Sequence, residues 1–131
     1  LMYNPSTGDY SHLDPTLRRC VDFALCNSYG SMYVINLYPK ISPYPAEIRT
    51  SYKEGARDNW AHIKRAVMHA KKPGNGMLLA WGAMPVHDDI VSRVLTLARQ
   101  HSVNLYCLGR TKNGDFRHPL MVHSRTPLQR I

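Results

Sequence analysis

Cysteine is scarce in this chain: Cys20, Cys26 and Cys107 make an odd count with no Cys-x-x-Cys pair. That excludes a disulfide framework and a four-cysteine zinc or iron–sulfur site, and it points to a reducing, cytoplasmic setting. Apolar runs are short. None approaches the length needed to cross a bilayer, and the start lacks the basic and apolar stretches of a signal peptide, so no membrane partner is expected. The Gly-x-Ser-x-Gly elbow, the phosphate loop ending in Gly-Lys-Ser/Thr and the Gly-x-Gly-x-x-Gly dinucleotide turn are all missing. Seven histidines occur, yet none forms a His-x-His or His-x-x-x-His pair, so no metal and no cofactor is expected.

Acidic residues are few as well, nine against 17 lysines and arginines, for a formal charge of +8. Such a charge attracts phosphates and steers a protein toward polyanions, which makes DNA or another nucleic acid or nucleotide the natural partner. Solubility alone is the bland alternative. The 131 residues, 44% hydrophobic and 20% charged with no repeat or low-complexity run, are expected to form one globular domain. Because the chain opens inside an apolar, strand-like stretch, a further N-terminal segment is expected upstream. Nothing in the pattern sets an oligomeric state.

Leu1–Tyr3 reads as the end of a strand, stopped by the turn residues Asn4-Pro5-Ser6-Thr7-Gly8-Asp9. Asp14-Pro15 is a helix start, Asp as N-cap and Pro in the first turn, followed by Leu17, Val21, Ala24 and Leu25 at helical spacing and closed by Gly30. Residues 31–38 are apolar on both faces and read as a buried strand. Pro39, Pro43 and Pro45 make 39–56 a long irregular segment. Asp58 opens a second helix with Ile63, Ala66, Val67 and Ala70 inward, ended by Pro73-Gly74-Asn75-Gly76. Met77–Trp81 is a central strand, Asp88 or Asp89 caps a third helix carrying Ile90, Val94, Leu97 and Ala98, and Asn104–Leu108 is a fourth strand. The expected fold is therefore α/β, a three-layer α/β/α sandwich with a four-stranded mostly parallel sheet in the order βαβαβαβ.

In such a sheet the segments after each strand open onto one rim. Asn4-Pro5-Ser6-Thr7, Asn36, Gly82 and the run Thr111–Pro119 would meet there. Convergence makes a site plausible without naming its chemistry.

Two resemblances narrow the chemistry. Asn4-Pro5-Ser6-Thr7, Asp9, Asp14-Pro15-Thr16, Arg18-Arg19-Cys20, Val34-Ile35-Asn36-Leu37, Ala80-Trp81-Gly82, Leu108-Gly109, Thr111-Lys112 and Arg117-His118-Pro119-Leu120 together resemble a bacterial and phage family labelled only as a domain of unknown function. The likeness covers nearly the whole chain. More distantly, Met2-Tyr3-Asn4-Pro5, Val34-Ile35-Asn36, Leu79-Ala80-Trp81-Gly82 and His118-Pro119-Leu120 are similar in order to four motifs of the uracil-DNA glycosylase superfamily. The Asp58-Asn59-Trp60 helix start is similar to a Trp-bearing helix of those enzymes.

That second resemblance implies base excision. Breaking a base–sugar bond builds positive charge on the sugar and negative charge on the base, so a placed water and a donor to the base are needed. By the likeness, Asn4 would hold the water and His118 would stabilise the base anion. Asn36 would read the edge of a flipped base, with Tyr10 or Tyr38 stacking on its face and Pro5 and Ser6 lining the pocket. Arg18, Arg19, Lys112 and Arg117 would anchor phosphates, and Leu120 would wedge into the base stack. The sequence also departs from the superfamily. Met2 stands where its motif has Gly, Asn4 where its most active members have Asp, and Leu120 where it has Ser.

Plain structural readings stand beside these. Asn4 before Pro5 is also an ordinary turn residue, His118 an ordinary loop residue, and Asn36 a strand residue satisfied within the fold; Trp60 and Trp81 read as core. Three functions follow: a DNA glycosylase acting on a flipped base, modified or not; a nucleic-acid or nucleotide-binding module without catalysis; and a hydrolase of free nucleosides or nucleotides.

Overall fold

A computed structural model of the protein describes residues 1–6 and 14–131. Helix α1 spans Pro15–Cys26, where Asp14 caps it by accepting the backbone N–H groups of Thr16 (2.6 Å) and Leu17 (3.1 Å). This is the start that Asp14-Pro15 predicts, and it satisfies donors that a helix leaves orphaned. Helix α2, Pro45–Thr50, lies inside the stretch expected to be irregular; Pro45 is tolerated because it sits in the first turn, where no N–H is needed. Helix α3, Ala56–Ala70, has its N-cap at Gly55, with φ of 65°, three residues before the expected cap. It buries Ile63, Val67 and Ala70. Helix α4, Asp88–Gln100, buries Val94 and Ala98 and packs against α3.

The sheet corrects the expected architecture. Among the described residues it has three strands in the order β1-β2-β3, where β1 is Met77–Leu79, β2 is Leu105–Cys107 and β3 is Gln129–Arg130. Strands β1 and β2 are parallel, with Met77 opposite Leu105, but β3 is antiparallel to β2, with Tyr106 opposite Arg130. A four-stranded mostly parallel sheet is therefore overturned. Leu1–Tyr3 and residues 31–38 were expected to be two of its strands, yet they contribute only one parallel bridge, Met2 with Asn36.

The reason lies in where these segments find neighbours. Met2 N–H donates to Ile35 C=O (2.9 Å), Leu37 N–H to Met2 C=O (2.9 Å) and Tyr38 N–H to Tyr3 C=O (3.0 Å). On its other side Leu1 donates to Leu78 C=O (2.7 Å) and accepts from Ala80 N–H (2.9 Å). Before Ile35 the segment has no such companion among the described residues, and Ser31 to Val34 are exposed.

Leu37, Ile48, Ile63, Leu79 and Val94 are fully buried in one hydrophobic core that reaches from Leu1 to Phe116. Asn59 ties α3 to it, its side-chain amide donating to the carbonyls of Asn36 (3.0 Å) and Leu37 (2.9 Å). Trp60 and Trp81 both serve packing. The Arg93 guanidinium of α4 lies 4.2 Å from the Trp60 ring centre, and buried Trp81 meets Phe116 edge-on at 4.8 Å.

Candidate functional site

The short parallel contacts carry three segments to a common end. Tyr3 leads into Asn4-Pro5-Ser6, β1 leads into Gly82, and β2 leads through the turn at 109–116 back to His118. Phe116 C=O accepts from Gly82 N–H at 2.8 Å, and Gly109 C=O accepts from Arg117 N–H at 3.0 Å, so 116–118 runs past both strand ends. Gly82, with φ of 76°, lies so close that a Cβ there would stand 3.2 Å from the Cβ of His118.

His118 is half-buried at the entry to a 3-10 helix, Pro119–Met121, which packs against α1. Its Nδ1 accepts the Leu120 backbone N–H at 3.3 Å. That bond leaves the ring proton of the neutral imidazole on Nε2. Burial holds the imidazole below its ordinary value, and the charge of Asp14 acts in the opposite sense. His118 is thus a neutral ring with a donor to give.

Asp14 is the residue that sequence reasoning placed only as a helix cap. The Ser6 hydroxyl, followed by the backbone N–H groups of Leu17 and Thr16, holds its carboxyl below the ordinary range against the effect of burial. The carboxylate is therefore ionised near neutral pH, hydrogen-bonded to the Asn4–Ser6 loop and electrostatically coupled to His118. Asp14 is marked in the sequence by the cap and by the Asp14-Pro15-Thr16 likeness, and neither pairs it with His118 across most of the chain.

Asn4 is half-buried, and its side-chain amide donates to the carbonyls of Ser42 (2.9 Å), Pro5 (3.1 Å) and Lys40 (3.2 Å). It straps the 40–42 loop to its own, while no described residue donates to its Oδ1. Asn36 lies beside Met2, two residues before Asn4 on the neighbouring segment; its backbone carbonyl is held by Asn59, and its side-chain amide has no partner among the described residues. Tyr38 is a core residue, buried against Tyr3 with ring centres 5.0 Å apart, and its hydroxyl accepts the His87 N–H at 2.7 Å. Tyr10 lies outside the described residues.

Among the predicted phosphate anchors, Arg18 is exposed and Arg19 half-buried on α1, beside the 3-10 helix. Lys112 is exposed in the turn after β2, and Arg117 is exposed with its Nε donating to Arg110 C=O at 2.9 Å. Leu120 is exposed. Ser6, Asp14, His118 and Leu120 are thus brought together, whereas Asn36 joins them only through the Met2–Asn4 segment. A cavity of about 180 Å³ opens elsewhere, between residues 31–35 and 75–78, and none of the predicted site residues that are described lines it.

Residues 1–120 match a family described as "Protein of unknown function (DUF1643)". The chain belongs to this family. No curated protein and no solved structure matches it. DUF1643 membership covers Asn4, Asp14, Asn36, Gly82 and His118 and assigns none of them a role. Among the described residues no cluster of three or more His, Cys, Asp or Glu side chains is placed to hold a metal ion, and no helix is long and apolar enough to cross a membrane.

Proposed function

We propose that Asn4–Ser6, Asp14, Asn36 and His118 form a nucleobase site of the DNA-glycosylase kind, acting on a flipped base, modified or not. The observation that carries this reading is the Leu120 N–H bond to Nδ1 of His118, which fixes a half-buried neutral imidazole as an Nε2–H donor. A donor pre-aligned in a partly dry site favours negative charge that appears on a departing base. The Asp14 carboxylate beside it complements positive charge on the sugar.

In this reading water attacks the anomeric carbon while the bond from that carbon to the base nitrogen breaks. The base leaves with the bonding electron pair, stabilised by Nε2–H of His118, and is protonated from solvent. The water proton is lost to solvent after Asn4 Oδ1 has oriented the nucleophile. Asn36, with a donor and an acceptor unengaged, reads the base edge. The +8 charge of the chain, with Arg18, Arg19, Lys112 and Arg117 near the site, supplies sequence-independent attraction to phosphates.

One observation favours a second reading. The Asn4 amide is directed at three backbone carbonyls, a structural duty, and no carboxylate stands at that position to take a proton from water. A binding module that reads bases without excising them fits this equally. Incubation with single- and double-stranded oligonucleotides carrying a panel of modified bases, followed by alkaline cleavage at abasic sites, separates the two. Base release that His118→Ala abolishes supports the glycosylase; salt-sensitive binding without release on any substrate supports the module.

A further inference from the structure

Helix α3 buries one side in the core and leaves the other open, and the open side carries cations in two rows. At about 100° per residue, positions seven apart on a helix lie nearly in line. Arg57, Lys64 and Lys71 therefore make one row and Arg65 and Lys72 a second, with Ala61 and Met68 on the strip between them. Lys71 caps the helix with helical backbone angles, and Lys72 N–H donates to the His69 carbonyl at 3.2 Å, so both rows continue past the last turn. All five cations and Met68 are exposed. Ala61, Lys64, Arg65, Met68, His69 and Lys72 line one shallow depression along this face.

The helix gains little from this charge. Asp58 is the single acid between residues 57 and 72, and none of the five cations stands three or four residues from it, the spacing at which a helix pairs opposite charges. No ion pair or hydrogen bond holds any of the five side chains among the described residues. Lys71 and Lys72 suit the negative end of the helix dipole, but Arg57 lies in the first turn, where positive charge is unfavourable. The mount is firm, since Ile63 and Val67 are fully buried and Asn59 holds the carbonyls of Asn36 and Leu37 from the side of the helix opposite the strip.

Two parallel rows of cations match two parallel rows of phosphates. A helix with its side chains is about 10–12 Å across, and the major groove of B-form DNA is about 12 Å wide and bordered by a phosphate strand on each side. The major groove of duplex RNA is too narrow for a helix, and a membrane surface needs apolar residues along the centre of the open face, where Met68 stands alone. We infer that the open face of α3 is a contact surface for double-stranded DNA, with Arg57, Lys64 and Lys71 toward one phosphate strand and Arg65 and Lys72 toward the other. Ala61 and Met68 face the groove floor without a hydrogen-bonding group, so the contact carries no sequence preference. This claim does not rest on the base site, and its test involves no base release.

Binding of the 131-residue chain to an undamaged DNA duplex, followed by fluorescence anisotropy over a range of salt concentrations, tests it. Each phosphate contact adds about 0.9 to the slope of log affinity against log salt. Lys64→Gln with Arg65→Gln, one cation from each row, is expected to lower that slope by nearly 2 and to weaken binding by about tenfold, with Tm unchanged. Lys64→Arg with Arg65→Lys should restore both. Arg99→Gln with Arg125→Gln removes the same charge from exposed positions elsewhere and should leave the slope near wild type. An equal loss in the two glutamine pairs, or none in the first, overturns the proposal. Binding to single-stranded DNA, duplex RNA, polyglutamate or phosphatidylserine vesicles as tight as to the duplex, and lost in the same Lys64 and Arg65 pair, overturns the assignment to a DNA groove.

Discussion

Gly82 lies flat against His118, at a φ of 76° and with room for no Cβ closer than 3.2 Å to that of the histidine. The glycine ends the segment after β1, and the contact fixes how closely the returning 116–118 segment approaches. Gly82→Ala meets two penalties, a left-handed backbone costing about 1–2 kcal/mol and crowding against His118. Urea unfolding should show a lower midpoint with an unchanged slope, and the His118 ring resonances should shift. A midpoint equal to wild type contradicts the contact.

Asn4 is held by donation, not by acceptance. Asn4→Asp therefore turns an oxygen toward the carbonyls of Pro5, Lys40 and Ser42, while Asn4→Ala leaves those carbonyls merely unpaired. Losing such bonds costs about 1–3 kcal/mol, and the aspartate is expected to cost more than the alanine. Chemical denaturation of both variants checks the order. An Asp variant as stable as wild type means that the strap carries no weight.

The helices were legible in the sequence because their signals are local. Asp14-Pro15 marks a start by cap and ring, and Ile63, Val67 and Ala70 mark an inward face by spacing. Residues 31–38 misled because an apolar run reports burial without reporting a neighbour, and here the neighbour reaches only as far back as Ile35. Gln129 and Arg130 gave no strand signal since both side chains are polar and exposed, and the partners that hold them, β2 and Asn104, lie more than twenty residues earlier. At the site, Asn4 and His118 stood out by motif. Asp14 stood in the family likeness and as a helix cap but without a place at the site, because its approach to His118 depends on α1 packing against the 3-10 helix, and Tyr38 looked available only because its hydroxyl partner at His87 lies far along the chain.

Acid should weaken the fold through His118. Burial sets its folded value below the ordinary 6.5, so the unfolded chain takes up a proton at higher pH than the fold does. Stability from this group is intact above about 6.5 and is lost as pH falls through the lower folded value. His118→Asn should lose stability less steeply than wild type over that window. Asp14→Asn keeps a competent helix cap but removes the anion that draws the proton in, so the His118 titration should move to still lower pH by NMR. An upward move, or none, contradicts the coupling.

Trp81 carries a buried indole N–H with no hydrogen-bond partner among the described residues. Trp81→Phe removes that unsatisfied donor, a gain of about 1–3 kcal/mol set against lost packing on Phe116. The net change in unfolding free energy is expected within about 1 kcal/mol, well below the roughly 3–5 kcal/mol of a large-to-small core change. A loss in that larger range indicates that the N–H is satisfied.

In the proposed site one base is met by His118, Asn36 and the Asn4 loop together. Titration of the labelled protein with a single-stranded oligonucleotide, followed through the His118 ring and the Asn36 side-chain amide by NMR, tests this most directly. Both signals are expected to shift along one saturation curve, with the shifts lost in His118→Ala. Saturable binding that leaves both signals unmoved while others shift contradicts it.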